Sequence, residues 1–255
     1  MKKVDINCDL GESFGAYTIG MDRKVVPLIT SANIACGWHA GDPKVMDETV
    51  KIAKENAMSV GAHPGYPDLL GFGRRNMSIS TADAAVYLKY QMGALYAFTK
   101  SHQIELVHVK PHGALYNTAG KDRKLAEALC RSIKEFDSQL ILLGLAGSAM
   151  LDAAEEVGLR FASEVFADRA YEDDGFLVPR TKEGAIITDS DVAITRIIEM
   201  IKTGYTSSIH GKKIPVRCDS ICVHGDNPYA LEFVYAIRTR LILEDIQPAP
   251  ITEII

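Results

Sequence analysis

Read in order, the chain carries Asp9 and Glu12, His39, His63, Lys110 and His112, Glu164, Asp168 and Arg169, and finally His224 and Asp226. Carboxylates held beside imidazoles can exchange protons near neutrality, because each neighbour moves the other's pKa. A lysine among them either stabilises an oxyanion as it develops or, if its pKa falls, attacks as a nucleophile. The electrostatic role suits Lys110 better, since nothing else in the chain points to aldehyde or ketone chemistry. Arg74 and Arg75, after the glycines of GFGRR, offer a grip for a substrate carboxylate or phosphate, against the plainer alternative of a solvated pair on a loop. Asp9, Glu12, His63, Lys110, His112, His224 and Asp226 form the catalytic set on this reading. His39, Arg74, Arg75, Glu164, Asp168 and Arg169 form the substrate-binding set.

These residues span most of the chain, so only a repeating element can bring them to one place. The stretch VHVKPHGALY (107–116) shows how. A strand over 107–110 has a period of two, which puts His108 and Lys110, with His112 just beyond, on one face and Val107 and Val109 on the other. The same alternation recurs: Asp5, Asn7 and Asp9 against Val4, Ile6 and Cys8; Ser31, Asn33 and, by extension, His39 against Ile34 and Cys36. It continues with Ser59, Gly61 and His63 against Val60 and Ala62, then Glu164 and Asp168 against Phe161 and Val165. Cys222, His224 and Asp226 oppose Ile221 and Val223.

Strands are expected over 4–8, 32–36, 59–62, 107–110, 140–145, 161–165 and 220–223, the fifth wholly apolar. Helices are expected between them over 22–28, 81–101, 122–136, through 157 from a Ser148 cap, and over 190–203. Two more open at the Asp42-Pro43 and Asn227-Pro228 pairs, each an N-cap followed by proline. Alternating strands and helices imply βα units. An open doubly wound sheet lies under helices on both faces and needs strands apolar throughout. Here one face of nearly every strand is polar. A closed parallel barrel of seven or eight strands satisfies this, with polar faces turned to the axis and to the mouth at the strands' C-terminal ends. The longest irregular segment, 166–188, is then a lid over the mouth or a long excursion.

The chain has 255 residues, 47% of them hydrophobic, enough for one large α/β domain with an ample core. Its formal net charge of -5 gives no basic footprint, so nucleic acid is not an expected partner. The opening MKKVDINCDL turns polar at once and no apolar run approaches the ~20 residues of a bilayer span. A cytoplasmic protein with no membrane partner is therefore expected. Cys8, Cys36, Cys130, Cys218 and Cys222 are an odd, scattered set, read as reduced thiols filling the core. The motifs HExxH, GxxxxGKS/T and GxGxxG are absent, which argues against a self-contained zincin, Walker or Rossmann site. Asp, Glu and His together still leave a divalent metal open.

Six segments, DINCDLGESFG, SANIACGWHAGDP, GAHPGYPDLLGFGRR, VKPHGALYN, EVFADRAY and VHGD, resemble in order the LamB/YcsF family of lactam-utilisation proteins, over nearly the full length. The resemblance implies a (β/α)7 barrel, TIM-like, similar to the glycoside hydrolase and polysaccharide deacetylase superfamily. It also implies 5-oxoprolinase activity: ATP-dependent ring opening of 5-oxo-L-proline to L-glutamate, with ATP as co-substrate and two partner subunits, B and C. In that reaction either Asp9 or His112 serves as base, His224 with Asp226 as an oriented acid pair, and Lys110 meets the anionic oxygens. With no nucleotide motif here, the hydrolytic half is expected in this chain and phosphorylation in the partners. Deacetylases of the superfamily hold a metal with an Asp and two His; Asp9, His63 and His112 are the analogues, although the histidine spacing does not reproduce their motif. The alternatives are a metal-dependent amide or carbohydrate deacetylase and a non-catalytic, ligand-binding member of a complex.

Overall fold

In the computed structural model, which describes residues 2–223 and 228–255, the alternation becomes a barrel. The strands are β1 (Lys2–Leu10), β2 (Ser31–Ala35), β3 (Ser59–His63), β4 (Leu106–Val109), β5 (Ile141–Leu145), β6 (Arg160–Phe166), β7 (Tyr205–Ser207), β8 (Lys213–Pro215), β9 (Ser220–Val223) and β10 (Ile246–Pro248). Among the described residues seven of them, β1 to β6 and β9, pair in parallel and in order, and β9 returns to β1 to close the ring. The eighth strand lies outside the ring: among the described residues β10 pairs with the first residues of β1, Lys2 to Val4. Helices α1 (Asp22–Val25), α2 (Pro43–Glu55), α3 (Thr81–Ser101), α4 (Gly113–Lys121), α5 (Arg123–Phe136), α6 (Ala149–Val157), α7 (Ser190–Thr203) and α8 (Pro228–Leu243) make the outer layer.

Local chemistry explains the boundaries. Asp42 accepts from the N–H groups of Lys44 and Val45 ahead of α2, Ser80 from Asp83 ahead of α3, and Asp189 from Asp191 and Val192 ahead of α7. Helix α5 buries Leu125, Ala126, Leu129, Cys130 and Ile133, one stripe at helical spacing. Ser148 stands at the N-cap of α6 but makes no capping bond, contrary to expectation. Helix α4 is not expected from its residues, because Gly113 and Gly120 depress helix propensity. The Asn227 cap falls outside the described residues. All five cysteines are free thiols, four of them buried.

Outward residues of β1, Val4, Ile6, Cys8 and Leu10, join the main core under the helices. The inward residues form two halves. On β5 and β6, Ile141, Leu143 and Ala162 cluster with Ile251. Facing them is a polar half whose groups satisfy one another. Asp5 accepts from the hydroxyls of Ser31 at 2.6 Å, Thr30 at 2.7 Å, and Ser220. Asn7 donates to Ser220 Oγ at 2.8 Å and accepts from Asn33 at 2.7 Å. His108 Nε2 donates to Asn33 Oδ1 at 2.8 Å.

Two consequences are testable. A methyl group on Gly61 would overlap Nε2 and Cδ2 of the His108 ring. Gly61→Ala is therefore expected to destabilise the fold by about 3 kcal/mol, at the upper end of overpacking costs, read by urea denaturation; an unchanged midpoint would show that the ring moves freely. The second concerns Asp5, whose carboxyl burial pushes from the ordinary 3.8 up to about 6, despite the three hydroxyls that lower it. The folded state thus holds this proton where the unfolded chain releases it. Stability from Asp5 is full below about pH 4 and is lost as pH rises through 6, a contribution of about 3 kcal/mol at 1.36 kcal/mol per pH unit. Against an Asp5→Asn variant, the wild type should gain stability as pH falls from 7 to 4; parallel curves would refute the assignment.

Candidate active site

The C-terminal ends of the strands surround a cavity of about 520 Å³. Asp9 from the end of β1, Glu12 from the loop beyond it, His63 from the end of β3, and Lys110 and His112 after β4 line its floor, with Tyr116 from α4. The 166–188 segment supplies one wall through Phe166, Arg169, Phe176, Leu177, Val178, Pro179, Arg180 and Thr181. It is folded upon itself: Arg169 bridges to Ile186 and Tyr171 to Leu177, Ala170, Val178 and Ala185 pack together, and Arg169 Nη2 donates to Val178 O at 2.6 Å.

Lys110 is the centre of the floor, 3% exposed. Its Nζ lies 2.9 Å from Asp9 Oδ1 and 2.9 Å from Glu164 Oε1, with Asn7 Oδ1 and Cys222 Sγ each at 3.3 Å. Burial alone would lower the Lys110 pKa; Asp9, the Cys222 sulfur and Glu164 outweigh it and hold the ammonium well above the ordinary lysine range. A lysine so held is a fixed cation and not a nucleophile. Burial would likewise raise Asp9, but His63 and Lys110 overcome it and keep this carboxyl well below the usual range. Asp9 Oδ1 also accepts from Asn33 Nδ2 at 2.8 Å, and Oδ2 faces His63 Nε2 at 3.2 Å.

The histidines are oriented from behind by backbone. His63 Nδ1 donates to Lys110 O at 2.7 Å, and His112 Nε2 donates to Phe72 O at 2.8 Å. Carbonyl oxygens only accept, so both of these nitrogens carry hydrogen. The remaining two nitrogens, His63 Nε2 and His112 Nδ1, face each other at 2.9 Å. His39 stacks on His112 with ring centroids 3.7 Å apart. Burial pushes both His39 and His112 well below the ordinary histidine range, His63 adding to it. Gly73, at φ +63°, keeps this stack possible, since a Cβ there would meet atoms of both histidines at 2.8 Å. Burial and the nearby Asp9 raise Glu12.

Asp9, Glu12, His63, Lys110, His112, Arg74 and Arg169 therefore meet around one cavity, Asp9 and His63 as the strand faces imply. Other placements differ from expectation. Glu164 is fully buried and does not line the cavity; its Oε2 accepts from Tyr116 OH at 2.6 Å and its Oε1 is 2.9 Å from Lys110 Nζ, so it positions both. His39 is also fully buried, behind His112. Arg75 turns away to Asp68, with Nε at 3.0 Å and 3.1 Å from the two carboxylate oxygens, because that carboxylate already holds the Gly71 turn. Asp168 does not line the cavity. His112, with both nitrogens engaged, has no free lone pair to act as base unless His63 releases it. His224 and Asp226, the expected acid pair, lie outside the described residues. Tyr116, Asn33 and Cys222 join the site without being expected in it, though the first stands in the VKPHGALYN segment and the other two on inward strand faces.

A family model described as the LamB/YcsF family matches residues 4–255. The chain is 60% identical over 254 residues to a Clostridium beijerinckii protein named as the A component of 5-oxoprolinase, covering 100% of both. It is 55% identical over 253 residues to a Pyrococcus abyssi protein of the same name, covering 99% of each. A solved lactam utilization protein from Thermus thermophilus superposes with a TM-score of 0.91 at 43% identity, over 98% of this chain and 99% of that one.

Proposed function

The chain belongs to the LamB/YcsF family, and from that premise we propose that it carries the hydrolytic half of an ATP-dependent opening of 5-oxo-L-proline to L-glutamate, as the A component of a 5-oxoprolinase with partner subunits B and C. The observation that carries this reading is Lys110, a permanent cation on the floor of a water-accessible cavity, fixed between Asp9 and Glu164. The names borne by the relatives supply the substrate class.

A lactam is a resonance-stabilised amide, so its carbon needs activation. The partner subunits bring ATP, the co-substrate, to the lactam held in this cavity and phosphorylate its ring oxygen, which makes that carbon electrophilic. Asp9 orients water and relays its proton toward His63 Nε2, 3.2 Å from Oδ2, as the new C–O bond forms, and Lys110 stabilises the anionic oxygens. The C–N bond then breaks, the nitrogen taking a proton, and the resulting γ-glutamyl phosphate loses phosphate to a second water, leaving glutamate. The α-carboxylate meets the cationic outer wall, where Arg74 and Lys121 are braced over Phe72 at 5.1 Å and over Phe176 at 4.5 Å. No described helix is long and apolar enough to cross a membrane. The need for ATP as co-substrate is what favours the cytoplasm on this reading.

The test is glutamate release from 5-oxo-L-proline by this chain alone, then with each partner subunit, ATP and a chelator. Release only from the assembled set with ATP supports the proposal. Release by the chain alone, indifferent to ATP, would replace it with a self-sufficient amide hydrolase. Full activity after the floor residues are substituted would leave a ligand-binding role within the complex.

A further inference from the structure

The histidine cluster holds more ligand-capable atoms than the ring-opening chemistry uses. Glu12, His39, His63 and His112 each present one ligand atom, all within 4.8 Å of one another. His39 Nε2 is 3.4 Å and His112 Nδ1 3.6 Å from Glu12 Oε1. Glu12 Oε1 and both His39 nitrogens are buried without a hydrogen-bond partner among the described residues. The backbone carbonyls of Lys110 and Phe72 each take one ring N–H of His63 and His112, so the other two nitrogens, 2.9 Å apart, face each other across a shared proton or a metal ion. Imidazoles oriented from behind by carbonyls and converging with one carboxylate are the donor arrangement of a transition-metal site.

We propose that Glu12, His39, His63 and His112 bind one divalent first-row metal ion, zinc or cobalt(II) by donor type. The ligand set differs from that expected by analogy with the deacetylases. Asp9 is not needed in it, because its Oδ1 is taken by Lys110 and Asn33. Tetrahedral bonds of ~2.0–2.1 Å place ligand atoms roughly 3.4 Å apart, so the two Glu12 distances already suit the ion, the His63–His112 pair at 2.9 Å must open, and the other pairs lie within 4.8 Å. Glu12, His63 and His112 line the cavity while His39 closes the back, so the four ligands complete a tetrahedral ion and an oxygen from the cavity reaches it only as a fifth ligand. When bound, such an ion supplies Lewis-acid polarisation of an oxygen entering the cavity.

The site stands on side-chain geometry and not on the lactam reading, and its test uses no substrate. The full-length, untagged chain is stripped with chelator, dialysed, and titrated with zinc by calorimetry and with cobalt(II) by visible absorption. One ion per chain, a tetrahedral-type cobalt spectrum and a raised thermal midpoint are expected. His39→Gln and His112→Gln should weaken binding by more than the ~10–100-fold that an outer-shell loss costs. Glu12→Gln, near-isosteric and partly exposed, serves if either histidine variant fails to fold. His102→Gln, at a surface histidine paired with Asp47, should bind as the wild type does. No saturable 1:1 binding, or undiminished binding in the Glu12 and His39 variants, would overturn the proposal.

Discussion

Lys110→Met should reduce glutamate formation by the assembled enzyme about 10²–10³-fold in kcat, the cost of removing one preorganised donor to the charged oxygens of the transition state. The same substitution should destabilise the isolated chain by roughly 3–5 kcal/mol, because Asp9 and Glu164 would then face each other across a buried gap with no cation between them. Lys110→Arg is not expected to restore activity. A planar guanidinium does not fit a point already contacted by Asn7, Asp9, Glu164 and Cys222 within 3.3 Å. Steady-state kinetics of the complex and denaturation of the chain check both effects. A kcat within a factor of about three of wild type would remove Lys110 from the mechanism.

Asp9→Asn should lower kcat about 10²–10⁴-fold, the range for loss of a positioned general base. The change is nearly isosteric, and its amide oxygen can still accept from Asn33 as Asp9 Oδ1 does at 2.8 Å. KM should therefore move little, since the loss falls on the transition state. If KM rises while kcat is kept, Asp9 binds substrate and does not activate water. Glu164→Gln is a sharper control on positioning: Glu164 does not line the cavity, so any loss it causes passes through Lys110 or Tyr116.

How much of this can be read from residues alone follows from where periodicity operates. Within strands it is strict, and Asp5, Asn7 and Asp9, Asn33, His63, His108 and Lys110 all turn inward as alternation requires. That is sufficient to choose a closed barrel over an open sheet. Beyond the strand ends there is no period. Glu12 and His39 sit on loops whose paths depend on tertiary contacts, so their convergence with His63 and His112 is not deducible as a four-residue cluster. Charge type also says nothing of pairing: Arg74 and Arg75 are adjacent and alike, yet one lines the cavity and the other is held by Asp68. Glu164 reads as a candidate ligand for substrate because burial depth is invisible in a strand whose inward face is polar. Strand β10 and the β7–β8 pair, three residues each, are too short to show alternation.

The most direct test is a crystal structure of the assembled enzyme with 5-oxo-L-proline and a non-hydrolysable ATP analogue. The lactam should lie in this chain's cavity with its ring carbonyl oxygen within about 3 Å of Lys110 Nζ, a hydrogen-bond distance, and its carboxylate toward Arg74. Lactam bound in a partner, with this cavity walled off from it, would contradict the claim that ring opening takes place here.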